Sequence, residues 1–408
     1  MILEIISIRP YDGSRILLGV TGGIASYKAA WLARLLAKAG ADVEVVMTPA
    51  ATEFVGAVTF EALTGHAVHT GLFDPGRALD HIKLARNATA IVVAPATADF
   101  LARAATGQAD DLLSASLLAA ACPVLLVPAM NDHMWAHAQT QRNVAHLREL
   151  GYRVLEPDEG ELAAGEGSGP GRMPEPETIF AHVGRLLEQA GALDGRRVLV
   201  TAGPTREAID PVRFISNHSS GKMGVALAAA AWRRGASVDL IAGPLAVATP
   251  AGVTVHAVQS TSDMATTVER LLPECDVLVM AAAPSDFRPS DPAPSKIKKS
   301  TEPRSIPLAP TADILQSTKG VRRRGTVVVG FALETDDAVA NGRHKLGEKG
   351  LDMIVVNDAT EPGAGFGVDT NRVTLVMRDG REDALPLMPK TEVAEAILDR
   401  VEQLISGR

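Results

Sequence analysis

Two short segments constrain this chain most. Arg15–Val20 and Arg197–Thr201 are almost continuously apolar, and each runs through a glycine-containing turn into an alanine-rich helix. A run that is apolar at nearly every position, rather than at every second one, belongs to a strand buried on both faces in a parallel sheet. In the first half, Thr21-Gly-Gly-Ile-Ala-Ser26 turns into a helix over Tyr27–Ala39, which Gly40 ends as a C-cap. Ala41–Met47 is then the next strand of a βαβ unit, and Thr48-Pro49 opens a loop into a helix around Thr52–Leu63. Further strands at Ala90–Ala94 and Pro123–Val127 run into Pro95–Asp99 and Pro128–Asn131. Strands alternating with helices at these lengths predict a doubly wound parallel sheet. Ligands of such sheets sit outside the carboxyl ends of the strands, the edge on which all these turns fall.

Glu159–Met173 is rich in glycine, lacks an apolar period and ends in Pro174 and Pro176, so neither a helix nor a central strand runs through it. It is either a passive hinge or a flap over a site. After a helix around Glu177–Ala190 and the strand Arg197–Thr201 comes a long polar turn over Ala202–Gly224, then a helix Val225–Arg234 ended by Gly235. Strands at Ser237–Ala242, Cys275–Ala282, Thr326–Val329 and Met353–Val356 follow. Val373–Arg378, Leu385–Pro389 and the helix Thr391–Ile405 predict a small antiparallel addition. The chain reads as α/β, with two tandem doubly wound Rossmann-like domains over 1–190 and 191–408.

The chain's 408 residues suffice for two cores. A net charge of −8 and 4% aromatics leave no basic footprint or stacking platform for nucleic acid. The longest apolar run, Leu117–Met130, is broken by Pro123 and Pro128 and is too short to span a bilayer. Met1–Glu4 has no signal-peptide character, and Cys122 and Cys275 read as two buried thiols of a cytoplasmic protein.

The turns carry the chemistry. Thr21–Ser26 offers backbone N–H groups at a helix N-terminus, an anion site. It lacks the G-x-G-x-x-G spacing, and no acidic residue closes the second strand to hold a ribose. That leaves a mononucleotide phosphate, such as that of FMN, or a glycine pair kept for packing alone. Ser219–Gly224 resembles the end of a P-loop, but Met223 replaces the required Ser or Thr and no glycine stands five residues before Gly221. A Walker A motif is rejected. The polar loop with Asn217, His218, Ser219, Ser220 and Lys222 still points to a phosphorylated or nucleotide ligand. In Lys296-Ile-Lys-Lys299, alternation puts Lys296 and Lys298 opposite Ile297, which suits a triphosphate clamp or a solvated charge cluster. His81 is structural or catalytic, and Asn131 is a turn-former or a ligand contact.

Together these motifs resemble one family over essentially the whole chain. It is the bifunctional flavoprotein of coenzyme A biosynthesis, which joins phosphopantothenoylcysteine decarboxylase to phosphopantothenate–cysteine ligase. The first half carries Thr21-Gly-Gly-Ile-Ala-Ser-Tyr-Lys28, His81-Ile-x-Leu84, Pro95-Ala-Thr-Ala-Asp99 and Pro128-Ala-Met-Asn-x-x-Met-Trp135. The second carries Thr201-Ala-Gly-Pro-Thr-Arg-Glu207, Ile215-Ser-Asn-His-Ser-Ser-Gly-Lys-Met-Gly224, Lys296–Lys299 and Gly330-Phe-Ala-x-Glu334.

The resemblance implies FMN at Gly22, Gly23 and Ser26, with Thr48, Pro95, Ala96 and Thr97 around it. It implies His81 as acid/base and Asn131 as the residue that holds the carboxylate lost as CO₂. In the ligase half it implies CTP along Met280, Ala281 and Ala282, with Asp286 near the ribose or Mg²⁺. Thr311, Ala312, Asp313, Ile314, Phe331, Lys345 and Lys349 would complete that pocket. Lys296 would stabilise the transferring phosphoryl group, and Asn217 would orient an acyl-cytidylate made from 4′-phosphopantothenate for attack by L-cysteine. A homo-oligomer is implied, with flavin sites between subunits of a trimer-based assembly and dimerising ligase halves.

One position departs from the family. Its flap reads Ala-Cys-Gly, with the cysteine protonating an enethiol as reduced FMN returns its electrons; here Ala163-Ala-Gly165 puts Ala164 in that place. A methyl group cannot donate a proton. Either the sequence was altered there, or another donor such as Glu166 substitutes, or the half-reaction stops at the enethiol. Two rival readings are a non-catalytic flavin-binding regulatory relative and a nucleotide-binding dehydrogenase, the latter disfavoured by the missing fingerprint.

Overall fold

The computed structural model describes residues 9–73, 77–162, 165, 167–299, 305–334, 337–358 and 367–407. The chain divides into one compact unit holding Ile6–Glu188 and another holding Gln189–Arg408. No helix among the described residues is long and apolar enough to cross a membrane.

In the first unit, β1 (Arg15–Val20), α1 (Ser26–Lys38) and β2 (Asp42–Met47) form the expected βαβ unit. The helix expected around 52–63 is instead two, α2 (Pro49–Thr52) and α3 (Ala57–Thr64), because Gly56 between them is extended at φ −70°, ψ 141°. The chain continues through α4 (Asp80–Asn87), β3 (Ala90–Ala96), α5 (Ala98–Thr106) and α6 (Leu112–Leu118). β4 (Val124–Pro128), α7 (Asp132–Ala136), α8 (Ala138–Glu149) and β5 (Arg153–Val154) complete the winding. Among the described residues the sheet is parallel, in the order β2-β1-β3-β4-β5. Successive strand residues feed opposite faces: Leu18 and Val92 join one apolar cluster, Leu17 and Ile91 the other. Both faces are therefore covered, as the continuous apolar pattern requires.

Glu159–Met173 lies inside this unit, so it is no hinge between the two. It folds as an antiparallel ribbon of β6 (Asp158–Glu161) and β7 (Ser168–Arg172), before α9 (Pro176–Leu187) packs on α1. Ala163, Ala164 and Glu166 lie outside the described residues.

The second unit opens with β8 (Arg197–Ala202). The stretch 202–224, expected as a long loop, contains a hairpin of β9 (Arg206–Ala208) and β10 (Phe214–Ser216). Asp210 makes that turn. Its carboxylate accepts from the N–H groups of Val212 and Arg213, both at 2.8 Å, and from the Arg213 side chain. Then come α10 (Lys222–Arg233), β11 (Ser237–Ala242), β12 (Thr254–Ala257), α11 (Thr261–Leu271) and β13 (Val277–Met280). α10 starts three residues earlier than expected, at Lys222. A hairpin of β14 (Phe287–Pro289) and β15 (Leu308–Pro310) and a short α12 (Ile314–Ser317) precede β16 (Val327–Glu334), α13 (Ala338–Glu348) and β17 (Met353–Asp358). β18 (Thr370–Asn371), β19 (Val373–Met377), β20 (Glu382–Ala384), β21 (Met388–Pro389) and α14 (Lys390–Ser406) end the unit.

Among the described residues the main sheet runs β12-β11-β8-β13-β16-β17-β19-β20, with antiparallel pairing only at β17–β19 and β19–β20. β19 falls on the expected Val373–Arg378, but its partner is Glu382–Ala384 rather than 385–389, and Met388–Pro389 pairs with β18 in a separate ribbon. One face buries Leu199, Leu278 and Val328 under Met264, Ile314 and Leu346 from α11, α12 and α13. α10 and α14 pack together on the other face, joined by a buried network in which Arg233 and Arg234 both pair with Glu395.

Candidate active sites

In the first unit, backbone and hydroxyl hydrogen bonds run across the carboxyl edge of the sheet. Thr48 N–H donates to Val20 O (3.0 Å), the Thr21 hydroxyl donates to Pro95 O (2.7 Å) and accepts from Thr97 N–H (3.1 Å), and Ala129 N–H donates to Ala96 O (3.2 Å). Met130 N–H then donates to Gly171 O of the ribbon at 3.0 Å. These bonds bring Gly22, Gly23, Thr48, Pro95, Ala96, Thr97 and Asn131 into one row with the ribbon at its end.

The turn suits an anion. α1 begins without a side-chain cap and has no acidic residue in its first turn, so no carboxylate offsets its dipole, although Ser26 N–H donates to Gly23 O at 3.0 Å and Lys28 N–H to Ala25 O at 2.9 Å. Gly22 is required for close approach, because a Cβ there would stand 2.4 Å from Ala50 Cβ. Ser26 is fully buried and its hydroxyl donates to Gly23 O at 2.6 Å, so it locks the turn. Thr48 caps α2 and Thr97 caps α5, each accepting from an N–H at 3.3 Å. Ala96 is fully buried and can offer a ligand only its backbone.

His81 stands in the first turn of α4, and its Nδ1 is buried with no hydrogen-bond partner among the described residues. An unsatisfied buried ring nitrogen is costly, and a ligand or proton supplied at that atom would satisfy it. Asn131 is a turn-former: its Oδ1 caps α7 by accepting from His133 N–H at 2.9 Å. The ribbon crosses beside it, and only glycine fits at 171, where φ is 148° and a Cβ would lie 2.2 Å from Met130 O. Lys28, which the sequence motif contains without a stated role, is buried and donates to Met173 O at 2.9 Å, fastening the ribbon's exit to α1.

Burial disfavours the thiolate of both cysteines. Cys275 is fully buried, and burial pushes it up to about 11. Cys122 is half-buried rather than buried as expected, and burial raises it too.

In the second unit a pocket of about 650 Å³, within the range of small-ligand clefts, opens at the carboxyl edge. It is lined by Asn217, Met280, Ala281, Ala282, Asp286, Phe331, Lys345, Lys349 and Thr311–Ile314, so one site gathers every expected nucleotide residue except Lys296. Asp286 O accepts from Thr311 N–H at 2.9 Å and Ser285 O from the Thr311 hydroxyl at 2.6 Å, which holds the 311–314 loop over the strand ends. Lys349 pairs with Asp313 at 3.0 Å. Burial would raise Asp313, but the Gln316 N–H and the Lys349 ammonium outweigh it and hold the carboxylate below its usual range. Asn217 donates to Pro284 O at 3.0 Å.

Lys296 is exposed and is not in the pocket wall. The hairpin holds its loop elsewhere: Ile297 N–H donates to Asp210 at 3.1 Å and Ile297 O accepts from Arg213 at 2.7 Å. The expected alternation does hold, with Lys296 and Lys298 outward and Ile297 partly buried. Sequence reasoning missed several other wall residues, among them Ser285 and Asn357, whose Oγ and Oδ1 are buried and unpartnered among the described residues, and the buried Asn371 and Lys390. Asn357 was legible in principle, because it lies one residue from the carboxyl end of a parallel strand, on the ligand-binding edge.

A glycine-containing turn on one wound sheet and a polar pocket at the carboxyl edge of a second give this α/β chain two separate candidate sites. Residues 5–188 match the family described as "Flavoprotein", and residues 193–405 match "DNA/pantothenate metabolism flavoprotein C-terminal domain". The chain is 48% identical to "Coenzyme A biosynthesis bifunctional protein CoaBC" of Mycolicibacterium smegmatis, over 97% of this chain and 98% of that one. It is 45% identical to the protein of the same name from Bacillus subtilis, over 96% and 98%. A crystal structure of the C-terminal domain of such a protein is 39% identical with a TM-score of 0.46, covering 54% of this chain and all of that one.

The chain belongs to the family of bifunctional coenzyme A biosynthesis proteins. It is an enzyme with a phosphopantothenoylcysteine decarboxylase half and a phosphopantothenate–cysteine ligase half. The regulatory-relative and dehydrogenase readings are thereby set aside.

Proposed function

We propose that the second unit activates 4′-phosphopantothenate with CTP, joins it to L-cysteine, and passes the product to an FMN site on the first unit. The single observation that supports this most is the pocket that gathers Asp286, Thr311–Ile314, Phe331, Lys345 and Lys349 at the strand ends. Lys345 and Lys349 supply positive charge for the triphosphate. No group of three or more His, Cys, Asp or Glu among the described residues is placed to hold a metal. Mg²⁺ would therefore come with the nucleotide, held by its phosphates, water and Asp286, the mode usual for this ion. The substrate carboxylate attacks the α-phosphorus and pyrophosphate leaves; the cysteine amine then displaces CMP. Asn217 orients the acyl group, and Lys296 reaches the phosphoryl only when the 290–299 loop closes.

FMN, when bound, supplies two-electron oxidation of the cysteinyl side chain. The uncapped start of α1 and the Gly22–Gly23 backbone hold its phosphate. His81 takes and returns the thiol proton. Asn131, whose Oδ1 is engaged in capping, keeps its amide N–H₂ for the carboxylate that leaves as CO₂. With Ala164 lacking a transferable proton, the half-reaction stops at the enethiol with flavin reduced. A homo-oligomer in the cytoplasm completes the reading.

The test of the ligase half is CTP-dependent pyrophosphate release with 4′-phosphopantothenate and cysteine. Release is expected, and its absence removes this reading. Lys296→Ala should lower the rate at least about tenfold; an unchanged rate removes Lys296 from its role. For the other half, a colourless protein that cannot be reconstituted with FMN removes the flavin assignment.

A further inference from the structure

β7 runs directly along the segment that carries Asn131. Gly171 O accepts from Met130 N–H at 3.0 Å, and a Cβ on Gly169 would stand 2.9 Å from Asp132 Cβ. The base of the ribbon is therefore part of the wall that sets where Asn131 stands. It is tied a second time at its exit. The Lys28 ammonium donates to Met173 O at 2.9 Å and to Glu175 Oε1 at 3.1 Å, on the far side of Arg172 from the first tie. Glu175 also takes the Arg172 side chain, whose Nη1 lies across Gly160 of β6, 3.2 Å from where a Cβ would stand.

Helix formation does not explain Lys28. It is the third residue of α1, where an ammonium opposes the helix dipole, and it is 8% exposed, so it also gives up hydration. Nor does the docking of α9 on α1 need it. Met173, Ile179 and Val183 share an apolar cluster with Ala29 and Leu32, and Trp31 Nε1 donates to Glu177 Oε1 at 2.9 Å. What the ammonium adds is a fixed position for the short link between β7 and α9.

We propose that Lys28 is a positioning residue for the decarboxylase half. By fixing Met173 and Glu175 it holds β7 in register against Met130–Asp132, and so keeps the Asn131 amide aimed at the substrate carboxylate. The inference rests on the role given to Asn131 above. In it Lys28 acts through the backbone and touches no reacting atom. Without the ammonium, Met173 O loses that donor, Glu175 is left with Arg172, and the contact of β7 with Met130 is free to open.

The experiment compares wild type, Lys28→Met and Glu175→Gln as full chains loaded with FMN, following flavin bleaching by phosphopantothenoylcysteine in single turnovers. Lys28→Met should raise the half-saturating substrate concentration about tenfold, because a hydrogen bond to a charged carboxylate is misaligned. Binding of 4′-phosphopantetheine, which lacks that carboxylate, should stay within about twofold of wild type when measured by competition. Equal weakening of both ligands would mean a general loss of structure and overturns the proposal, as does no change for either. In an Asn131→Asp background, which keeps the capping oxygen but not the amide N–H₂, Lys28→Met should add less than about twofold; a full tenfold there also overturns it. Hydrogen exchange on the flavin-free chain gives a reading independent of the cofactor. Segments 128–133 and 168–173 should exchange at least about fivefold faster in Lys28→Met, with β1 and β3 unchanged, and unchanged exchange in those segments contradicts the tie. If Lys28→Met does not fold, Glu175→Gln, at an exposed position, should give both effects at about threefold. A folded Glu175→Gln with neither effect counts against Lys28. If wild type holds no flavin or does not bleach, the flavin reading falls, and the exchange comparison still decides whether Lys28 holds β7.

Discussion

The strand-to-helix turn after β1 and the one after β8 hold the same place in their sheets. The first passes from Val20 to Ser26 in a few residues, locked by Thr21 and Ser26 hydroxyls into a tight anion-facing corner. The second extends from Ala202 to Lys222 and inserts the β9–β10 hairpin before its helix can begin. The short turn leaves only a compact glycine corner beside the start of α1. The long one stands back from the strand ends and opens a pocket of about 650 Å³ walled by side chains. The same fold thus frames a tight corner in one unit, the proposed cofactor cradle, and an open pocket in the other, the proposed substrate chamber, and the length inserted at one topological point separates them.

Several measurements would break or sharpen this contrast. The largest effect should come from the packing behind the second turn. Arg234→Met leaves Glu395 with only Arg233 and removes partners of Asp399 and Glu402, so the second unit should lose about 3–5 kcal/mol. Denaturation followed by pyrophosphate release should show the loss, while the flavin absorbance transition stays put. Movement of both transitions together would mean that the units are not separable. Next, Gly22→Val pushes against Ala50 and should strip the protein of flavin, with affinity down about a hundredfold or more and ligase rate within about twofold. In the second turn, Lys349→Ala frees Asp313 and should raise KM for CTP about tenfold, leaving flavin content unchanged.

Two smaller effects depend on pH. Burial, then Lys222, lowers Lys390 to about 8 against the pull of Asp369. The ammonium is charged below that pH and neutral above it, so pyrophosphate release should change as pH passes through about 8, and Lys222→Gln should shift that step upward. In the first unit, burial, then Arg185 and Arg153, lowers His182 to about 4. The unfolded chain takes up this proton near 6.5 and the folded unit does not. The stabilisation is therefore full above about 6.5 and is lost as pH falls toward 4, on the order of 1–2 kcal/mol. A thermal-unfolding series from pH 7 to 4.5 should show it, and His182→Gln should flatten it.

The sheets and their carboxyl edges were legible because continuous apolar runs have few structural alternatives. The residues expected around a nucleotide were legible through motif resemblance, and all of them except Lys296 line one pocket. Three features were not readable. Gly56 splits a helix although its neighbours favour one, because its backbone stays extended. The Asp210 turn converts a polar stretch into a hairpin through side-chain acceptance of two amides, a choice local composition does not reveal. The same carboxylate holds the Lys296 loop away from the pocket, a contact between residues far apart in sequence. Lys390 and Asn371 were missed for a related reason. They enter the pocket from the last helix and a two-residue strand, neither of which carries a binding motif.

In the proposed reading the second unit makes the substrate of the first, whose sequence offers no proton donor at Ala164. Mass analysis of the products from full-length protein given 4′-phosphopantothenate, L-cysteine and CTP tests it most directly. The account predicts CMP and pyrophosphate, then an enethiol two hydrogens lighter than 4′-phosphopantetheine, formed about once per flavin with the flavin left reduced. Sustained turnover to 4′-phosphopantetheine with the flavin reoxidised would contradict it.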